Sequence, residues 1–436
     1  MNARLETIYK SFAPMHFSPK QGWMNDPNGL AYYKGKYHFF YQHNPYSFKW
    51  DAMHWGYATS TDGYHWQHQP IVMYPNPIYK EKEYIGGQFS GSALEADGKL
   101  MIAFTHHHEK LGEPCVETQY ITELLDDGSL KEPQLIVDTY PKGFKSDNRD
   151  PKLFTYKGDI YFVTGGLSQN NEGVVHLYKQ TPEGWEYINC IFTDVGNTQK
   201  PIECPDIYQL GDKWVLSLSY MDDYINPYTQ TSNAVIAYIG EFTGKEFIVE
   251  SCQILDYGPD CYAPQTFIDA AGDRSFVPWA ANPKESMGAA EYPSVNGRFR
   301  KLSFKDNRVF MQPWLLLANE VQQNDALINQ KVVLPFVSYH FGKVNALFMQ
   351  IGENFTINYQ NGQMHIHQAM PHRVNEVKSE FAIMADDIEI IFDGHMCEVI
   401  INQGEIWATY RSHIPYTNLN LNLQSDAQNI SAFERA

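Results

Sequence analysis

Positive charge is scarce in this sequence of 436 residues. Lysine and arginine number 33 against 51 aspartate and glutamate residues, which gives a formal net charge of −18 at pH 7. Nucleic acids and anionic membranes are bound through concentrated positive charge, so the sequence predicts neither a nucleic-acid partner nor a membrane partner. No apolar run approaches the ~20 residues of a membrane-spanning helix, and the N-terminal stretch lacks the apolar core of a signal peptide. We therefore expect a cytoplasmic protein.

Cysteine is also sparse, and its spacing excludes two further classes. The six cysteines form no Cys-x-x-Cys pair; they are Cys115, Cys190, Cys204, Cys252, Cys261 and Cys397. In a chain this long, isolated thiols indicate neither a zinc site nor a disulfide framework. A glycine-rich phosphate loop, a dinucleotide fingerprint and a Ser-His-Asp arrangement are missing as well, so no motif indicates a nucleotide cofactor.

Aromatic residues, in contrast, are abundant. The chain contains 29 Tyr, 25 Phe and 9 Trp, or 14% of its residues. Flat rings pack well on pleated sheets and suit sugar-binding clefts, so this content favours β structure. Apolar residues make up 43% and charged residues only 19%, which is enough to build a large core. At ~100–200 residues per domain, the length suggests two domains.

Turn glycines followed by short apolar runs recur roughly every 60 residues. A first series contains Gly35, Gly98, Gly158, Gly211 and Gly272, and a second series, out of phase with it, contains Gly63, Gly128, Gly184 and Gly244. A glycine between two apolar runs is typical of a β-hairpin. Two hairpin turns per repeat give a four-stranded unit, and five such units predict a five-bladed β-propeller. An irregular β-sandwich with evenly spaced turns is the alternative.

The repeat does not continue beyond about residue 320. Alternating runs such as Asp387–Phe392 and Cys397–Ile401, bounded by turn-forming Asp393-Gly394 and Asn402-Gln-Gly404, predict a β-sandwich instead. The sequence thus predicts an all-β protein, a five-bladed β-propeller followed by a C-terminal β-sandwich. We expect the propeller domain at residues 1–312, a linker at 313–324 and the sandwich domain at 325–436.

Four polar side chains occupy almost the same place in successive repeats. Asp26 lies nine residues before its turn glycine, and Ser90, Asp150 and Glu203 each lie eight before theirs. If the strand entering each turn is the innermost one, these side chains converge on one mouth of the channel, as polar groups in a functional pocket do. Considered alone, the segment Asn25–Gly29 also suits an ordinary turn. The common position of the four side chains within the repeat favours a functional site instead.

Two carboxylates on either side of a bond are what glycoside hydrolysis requires, and a third can orient substrate hydroxyls. Tryptophans near these segments could stack on sugar rings, although we expect Trp55 and Trp66 in the core; the five are Trp23, Trp50, Trp55, Trp66 and Trp279. The run His106–His108 suggests a metal site. Consecutive residues of a strand point to alternate faces, however, so we expect a solvated loop or a part of the cleft rim.

Segments spread over nearly the whole chain resemble, in order, the motifs of glycoside hydrolase family 32, the invertase and β-fructosidase family. These segments are His16–Pro19, Gly22–Gly29, Tyr37–Gln42, Met53–Gly56, Phe89–Ala93, Arg149–Pro151, Glu203–Asp206, Tyr262–Gln265 and Cys397–Glu405. The resemblance implies a five-bladed propeller with a C-terminal β-sandwich. It also implies retaining hydrolysis of a β-D-fructofuranosyl linkage, without a metal or other cofactor.

By this resemblance Asp26 is the nucleophile, Glu203 the acid/base, and Asp150 the stabiliser that holds fructose hydroxyls. Residues that match positions around the fructose ring are Asn25, Gln42, Trp50, Phe89, Ser90, Arg149, Tyr262 and Trp279. A general acid must keep its proton near neutral pH, so we expect Glu203 in a dry position beside like charge. Cys204 offers a small partner beside the acid.

The sequence departs from the family pattern near the cleft rim, for example at Trp50-Asp51 and Pro278-Trp279. These departures leave the identity of the leaving group open. We expect a small sugar substrate, sucrose or sucrose 6-phosphate, with candidate phosphate ligands in Lys49, Lys80 and His106–His108. Alternatives are exo-acting hydrolysis of inulin, levan or kestose, fructosyl transfer, and the inverting chemistry of five-bladed arabinosidases. A catalytically silent carbohydrate-binding protein would have lost a carboxylate. A homo-oligomer is possible.

Overall fold

The computed structural model describes residues 12–13, 15–196, 198–283, 294–314, 321–369 and 376–435. Within these ranges the chain forms 31 β-strands, arranged in seven antiparallel sheets. The helical elements described are short 3-10 helices at Pro77–Lys80, Asp325–Asn329 and Asn402–Gly404. None of the helices in the described part is long and apolar enough to span a bilayer. The prediction of an all-β protein is confirmed.

Five of the sheets have four strands each, which pair in chain order. The first contains β1 (Trp23–Tyr33), β2 (Lys36–Asn44), β3 (His54–Ser60) and β4 (Gln67–His68). The second contains β5 (Tyr84–Ala96), β6 (Lys99–Lys110), β7 (Val116–Leu124) and β8 (Gln134–Val137). The third contains β9 (Phe144–Tyr156), β10 (Asp159–Ser168), β11 (Gly173–Thr181) and β12 (Gly184–Asp194).

The remaining two four-stranded sheets follow the same plan. The fourth contains β13 (Glu203–Leu210), β14 (Lys213–Ile225), β15 (Ser232–Phe242) and β16 (Phe247–Ile254). The fifth contains β17 (Tyr262–Ile268), β18 (Arg274–Trp279), β19 (Arg300–Lys305) and β20 (Arg308–Pro313).

The turn glycines lie where the repeat predicts them. Every glycine of the first series lies in the turn between the first and second strands of a sheet. The glycines of the second series lie between the third and fourth strands, except Gly184, which is the first residue of β12. Gly35 has a φ of 77° and follows Lys34 with a φ of 47°. Two consecutive left-handed residues define a type I′ turn, whose twist matches that of the paired strands. Glycine is favoured there because it has no β-carbon to clash.

The first strands of the five sheets form a closed ring. β1 contacts β5, β5 contacts β9, β9 contacts β13, β13 contacts β17, and β17 returns to β1. Apolar cores fill the spaces between adjacent sheets: Phe39 of the first sheet packs in one cluster with Phe267 of the fifth, and Phe154 of the third packs against Phe242 of the fourth. A ring of four-stranded sheets is the architecture of a β-propeller, and its first strands line the central channel.

The other two sheets form the predicted β-sandwich. The six-stranded sheet contains, in spatial order, β21 (Val321–Gln323), β31 (Asn429–Arg435), β22 (Phe336–Gly342), β27 (Asp387–Asp393), β28 (Met396–Ile401) and β29 (Ile406–Arg411). The five-stranded sheet contains β26 (Val377–Ala382), β25 (Gln363–Gln368), β24 (Phe355–Gln360), β23 (Ala346–Ile351) and β30 (Leu421–Ser425). Side chains alternate along β25, where Met364 and Ile366 enter the shared core while Gln363 and His365 face outwards.

The chain passes from the propeller to the sandwich between Pro313, where β20 ends, and Val321, where β21 begins. Residues 315–320 of the expected linker lie outside the described residues. Because β21 pairs with β31, the last part of the expected linker already belongs to a sandwich sheet. The domain limits at 312 and 325 stay a prediction.

Buried polar groups connect the propeller to the sandwich. Arg300 of β19 pairs with Asp256 at 2.9 Å and donates to the hydroxyl of Thr409 on β29 at 2.8 Å. Asp256 in turn accepts the backbone N–H of Thr409 at 2.8 Å. All three side chains are buried, so each polar group depends on the others for its partners. These contacts fix the sandwich against the fourth and fifth sheets.

Candidate active site

Each first strand of the propeller is interrupted near the predicted site residues. The pairing of first and second strands shifts register at Met24–Pro27, Gln88–Gly91, Arg149–Lys152, Glu203–Asp206 and Tyr262–Gln265. Bulges of this kind turn side chains out of the regular pleat and are common beside active sites. Four of the bulges contain a proline, which has no backbone N–H to donate to the neighbouring strand: Pro27, Pro151, Pro205 and Pro264. Local sequence thus explains why the strands open at this point.

The bulges correct one detail of the sequence prediction. Asp150 and Glu203 were expected at equivalent positions, but Glu203 is the last paired residue before its bulge, as Arg149 and Tyr262 are before theirs. The residues that follow are Asp150, Cys204 and Ala263, with φ values of 63°, 46° and 45°. Counting back from the turn glycine missed this step because Gly158 is the second residue of its two-residue turn, whereas Gly211 is the first residue of its own. Cys204, not Glu203, is the counterpart of Asp150.

Asp26 and Asp150 meet through Cys204. The Cys204 thiol lies 3.6 Å from Oδ2 of Asp26 and 3.6 Å from Oδ2 of Asp150. Its backbone N–H donates to Asp150 Oδ2 at 2.8 Å. Burial and the adjacent carboxylates raise the pKa of the Cys204 thiol well above its usual value, so the thiol remains an S–H donor.

Asp26 also accepts a hydrogen bond from Ser90, whose Oγ lies 2.5 Å from Asp26 Oδ2. Burial raises the pKa of Asp26 to about 6, and the hydrogen bond from Ser90 opposes that rise. The negative charge of Glu203 contributes to the same increase. At neutral pH the Asp26 carboxylate is therefore ionised, and it is oriented by Ser90 together with Asn25 and Cys204. An ionised, fixed carboxylate is suited to act as a nucleophile.

Asp150 is the most enclosed of the three carboxylates. Its backbone N–H donates to the hydroxyl of Thr105 at 3.0 Å, which fixes the left-handed residue in place. Burial raises the pKa of Asp150, against the opposing effect of Arg149. Asp150 is thus a deeply placed carboxyl group suited to accept from or donate to sugar hydroxyls.

The environment of Glu203 matches the expectation only in part. Like charge is close by, since Glu203 raises the pKa of both Asp26 and Asp150. The side chain is 21% exposed rather than dry, however, and is paired with Arg149, at 3.0 Å from Nη2 and 3.3 Å from Nε. The hydroxyl of Tyr262 donates to the second carboxylate oxygen at 2.7 Å. Burial and the negative charge of Glu203 raise the pKa of Tyr262 well above its ordinary value, so Tyr262 stays a donor. Arg149, Glu203 and Tyr262 therefore form a chain across three neighbouring sheets.

A buried carboxylate behind this chain was not identified from the sequence. Glu117 of β7 accepts from Arg149 Nη1 at 3.0 Å, from the backbone N–H of Asn148 at 2.6 Å, and lies 2.9 Å from Nδ1 of His107. Burial opposes ionisation, but Arg149 and His107 lower the pKa of Glu117 to about 2. From the sequence alone, a glutamate in a strand of mixed polarity is interpreted as a surface residue, so no sequence signal identifies Glu117 as part of the site.

Comparison of the chain with known protein families agrees with this geometry. The family model for the glycosyl hydrolases family 32 N-terminal domain matches residues 16–313. The chain belongs to glycoside hydrolase family 32. The resemblance drawn from the sequence motifs is confirmed, and with it the assignment of the chain as a glycoside hydrolase.

Individual relatives agree with the family assignment. The chain is 28% identical to the sucrose-6-phosphate hydrolase of Escherichia coli over 431 residues, which cover 92% of this chain and 88% of the relative. It is 32% identical to the raffinose invertase of Escherichia coli over 274 residues, covering 61% of this chain and 56% of that protein. Among solved structures, a mutant of the Bombyx mori family 32 beta-fructofuranosidase in complex with sucrose superposes with a TM-score of 0.80 at 25% identity, covering 99% of this chain and 95% of the other.

Further residues predicted from the family 32 motifs surround the three carboxylates. Gln42 is buried and donates to the backbone carbonyl of Gln88 at 2.9 Å, and Asn25 accepts from the indole N–H of Trp23 at 2.9 Å. Trp50 is half-buried, with its ring edge-on to Phe89 at 6.0 Å between centroids. These aromatic rings join Trp23, Met53, Cys204, Tyr262 and Trp279 in one apolar cluster.

The tryptophans divide between this cluster and the core. Trp279 is buried edge-to-face against Trp23, and its indole N–H donates to Ser294 at 2.6 Å. Trp55 is buried in the core between the first two sheets, as predicted, and Trp66 packs partly buried against the core of the first and fifth sheets. Of the five, Trp50 and Trp66 keep exposed surface, and Trp50 is the one beside Phe89.

The candidate phosphate ligands lie on three different segments of the chain. His106–His108 lie in β6 rather than in the solvated loop expected, because the strand extends to Lys110. His106 and His108 each lie 3.2 Å from the hydroxyl of Tyr79, whereas the His107 ring stacks on Phe89 at 4.3 Å. The alternation predicted for these histidines is confirmed. Lys49 is exposed ahead of Trp50, and Lys80 ends the helix Pro77–Lys80.

Proposed function

We propose that this chain hydrolyses the β-D-fructofuranosyl linkage of sucrose or a sucrose-derived saccharide with retention of configuration. The observation that carries the proposal is the junction at Cys204. Its thiol touches the carboxylates of Asp26 and Asp150, and its neighbour in the chain is Glu203. Three carboxylates from three sheets thus face one small volume, as a glycosidase requires.

In the first step, Asp26 attacks the anomeric carbon of the fructosyl unit and the bond to the leaving oxygen breaks. Glu203 gives its proton to that oxygen as it leaves. Charge on the sugar is positive in the transition state, so the carboxylate of Asp26, ionised above pH ~6, stabilises it directly. The product of this step is a fructosyl ester of Asp26 and a free alcohol.

In the second step, the Glu203 carboxylate accepts a proton from water as the water attacks the anomeric carbon. The ester bond to Asp26 breaks, and fructose leaves with its original configuration. Arg149 and Tyr262 hold the two Glu203 oxygens in place through this change of role. Asp150 binds fructose hydroxyls, and Trp50 with Phe89 packs against the sugar.

The decisive experiment compares initial rates on sucrose, sucrose 6-phosphate, 1-kestose and inulin, with Asp26→Asn as the inactive control. We expect fructose release from at least one of them. Methanol added as acceptor should give methyl β-D-fructofuranoside, as seen by NMR. The proposal fails if no substrate releases fructose, or if the methyl product has the α configuration, which would indicate the inverting chemistry of an arabinosidase-like site.

Location and assembly complete the proposal. A cytoplasmic enzyme would keep its six free cysteines reduced, including Cys204 in the site. Fractionation of cells that express the natural gene tests this location. Light scattering distinguishes a monomer of 50.2 kDa from a homo-oligomer.

A further inference from the structure

A small basic pocket lies where the propeller meets the sandwich. Its volume is about 100 Å³, and its walls come from the segment before β1, the connection between β3 and β4, the segment before β19, and β31 of the sandwich. We propose that this pocket binds a tetrahedral oxyanion of the phosphate type, either as the free ion or as the phosphoryl group of an ester. None of the three carboxylates of the candidate active site lines the pocket, so the inference does not rest on the proposed function.

The charged side chains that line the pocket are all basic. They are Arg298, Arg435, His16 and His65, and no aspartate or glutamate of the described residues lines the pocket with them. The chain as a whole has a formal net charge of −18, so this grouping of basic side chains from distant segments is exceptional for the molecule. A concave site lined by one sign of charge raises the local concentration of ions of the opposite sign.

Three carboxylates near the pocket are paired with its histidines. Asp393 lies 2.6 Å from Nδ1 of His16, and Glu398 lies 3.6 Å from Nε2 of the same ring. Burial opposes protonation of His16, but these two acids raise its pKa to about 9, so the ring is a cation at neutral pH. Asp62 lies 2.8 Å from Nδ1 of His65. Because the acids are taken up by the histidines, the guanidinium groups keep N–H donors for a ligand.

Arg298 is the side chain in the pocket that lacks an acceptor. It is 7% exposed, and its buried Nη1 has no hydrogen-bond partner among the described residues. Its Nε lies 4.0 Å from Glu398, which is beyond hydrogen-bond distance. Burial raises the pKa of Tyr64 to about 12 and Arg298 opposes that rise, so the guanidinium faces the hydroxyl of another lining residue. A buried donor without an acceptor is costly, and an anion in the pocket would supply the acceptor.

Aromatic rings enclose the basic groups. Trp66 stacks on Phe299 at 5.9 Å between centroids, Phe17 lies edge-on to Trp66 at 5.4 Å, and Phe299 lies 5.0 Å from Trp314. Such apolar walls strengthen the attraction between a guanidinium group and an anion. The volume is several times the ~10–15 Å³ that one water molecule needs and well below the ~300–1,000 Å³ of pockets for drug-sized ligands. It therefore suits a small ion or a single phosphoryl group.

The pocket is complete only when the two domains are packed together. Arg298 precedes β19 of the propeller, whereas Arg435 is the last residue of β31 in the sandwich. Guanidinium groups match the oxygens of phosphate with paired N–H donors, and a tetrahedral anion can accept from both arginines at once. An anion held in this way links β31 to the fifth sheet. Because it binds the folded chain and not the unfolded one, it should also stabilise the fold.

The test is calorimetric titration of the whole chain with inorganic phosphate, with sodium chloride at equal ionic strength as the reference. We expect saturable binding of about one ion per chain, and a rise of about 2 °C in the unfolding temperature at saturation. Arg298→Met removes a charged donor and should raise the Kd for phosphate about tenfold. Arg435→Met should also raise it, and this variant decides the question if Arg298→Met does not fold, because Arg435 is exposed.

Arg308→Met is the matched control. Arg308 also joins the propeller to the sandwich, through an ion pair with Glu405 at 3.1 Å, but it does not line the pocket. Its replacement should leave the Kd for phosphate unchanged. A larger Kd in Arg308→Met than in Arg435→Met would place the ion elsewhere and overturn the proposal.

Further titrations separate the possible ligands. Glucose 6-phosphate that competes with inorganic phosphate would show that the pocket admits a phosphoryl ester, whereas binding of inorganic phosphate alone would assign it to the free ion. Acetate that binds more tightly than phosphate would contradict the tetrahedral assignment. The proposal is wrong if binding is not saturable, if sodium chloride reproduces the thermal shift, or if the folded variants of both arginines keep the wild-type Kd. The pocket would then hold water only.

Discussion

Oε1 of Glu203 lies 3.0 Å from Nη2 of Arg149, although the two residues belong to neighbouring sheets and are 54 positions apart in the chain. The same guanidinium donates to the buried Glu117 at 3.0 Å. One cation therefore serves three carboxylates, because Nη1 of Arg149 also donates to Asp147. Glu117 and Asp147 thus share the charge of Arg149 with Glu203, the residue that we propose exchanges a proton with substrate.

Glu117→Gln tests this division of charge. With Glu117 neutral, Arg149 loses one of its buried carboxylate partners, so its guanidinium is held less firmly against Glu203. We expect kcat/KM on sucrose to fall about tenfold, while fructosyl fluoride, which needs little protonation by Glu203, is spared. The control Glu109→Gln removes an acid that lies 3.8 Å from Nε2 of His107, and should change little. Equal losses on both substrates would mean that Glu117 is only structural.

The acidic limb of the pH profile should report Asp26. Burial raises the pKa of Asp26 to about 6, so the carboxylate gains a proton below that value and cannot attack. We expect kcat/KM to fall about tenfold per pH unit below pH ~6. Ser90→Ala removes a hydrogen bond that stabilises the ionised carboxylate, so the limb should move to higher pH. A limb that moves to lower pH in Ser90→Ala would contradict this account.

Glu203→Ala should separate the two chemical steps. Without the acid, the rate on sucrose should fall by about 10²–10⁴-fold, because the leaving alkoxide needs a proton. Fructosyl fluoride should still form the covalent intermediate at Asp26, which mass spectrometry can detect. Azide should then release β-fructosyl azide, since it attacks without losing a proton. If sucrose and the fluoride are equally impaired and azide restores neither, Glu203 is not the acid/base.

Chelators should leave activity unaltered. Ligand atoms of Cys115, Glu117 and Asp147 lie within 4.8 Å of one another, but Arg149 donates to both carboxylates, at 3.0 Å and 2.5 Å. The guanidinium thus provides the positive charge that an ion would bring. Rates on sucrose measured with and without EDTA check this prediction. Loss of activity that a divalent ion restores would show that the group binds a metal.

The contact between propeller and sandwich should contribute stability without contributing to catalysis. Asp256→Asn leaves Arg300 buried without its carboxylate, which we expect to lower the free energy of unfolding by about 3–5 kcal/mol. Asp273→Asn is the matched control, because Asp273 pairs with the neighbouring Lys301 at the surface and should cost about 0–1 kcal/mol. Urea unfolding measures both. Below the transition, kcat/KM of Asp256→Asn should equal that of the wild type, and a specific loss would link the interface to the site.

The features of this protein that the sequence alone determined are those that depend on local chemistry. A type I′ turn needs two left-handed residues, as at Gly35, Gly98 and Gly158, and Gly211 and Gly272 also have a positive φ. These glycines therefore indicate each blade without reference to the rest of the chain. The alternation of His106, His107 and His108 follows from the strand period in the same way. Together with the ordered motifs, these local signals were enough to predict the five four-stranded sheets, the sandwich and the side chains that meet at the channel mouth.

Tertiary structure decided how those side chains are paired. The bulges place Cys204, rather than Glu203, beside Asp150, and they bring Arg149 to Glu203 from another sheet. Glu117 reaches the same guanidinium from β7. These contacts depend on the relative positions of strands that are 30 to 60 residues apart, roughly one repeat of the propeller. The relative positions of these strands are set by packing between blades, which no local sequence pattern encodes. The partners of each carboxylate were therefore decided by the tertiary structure.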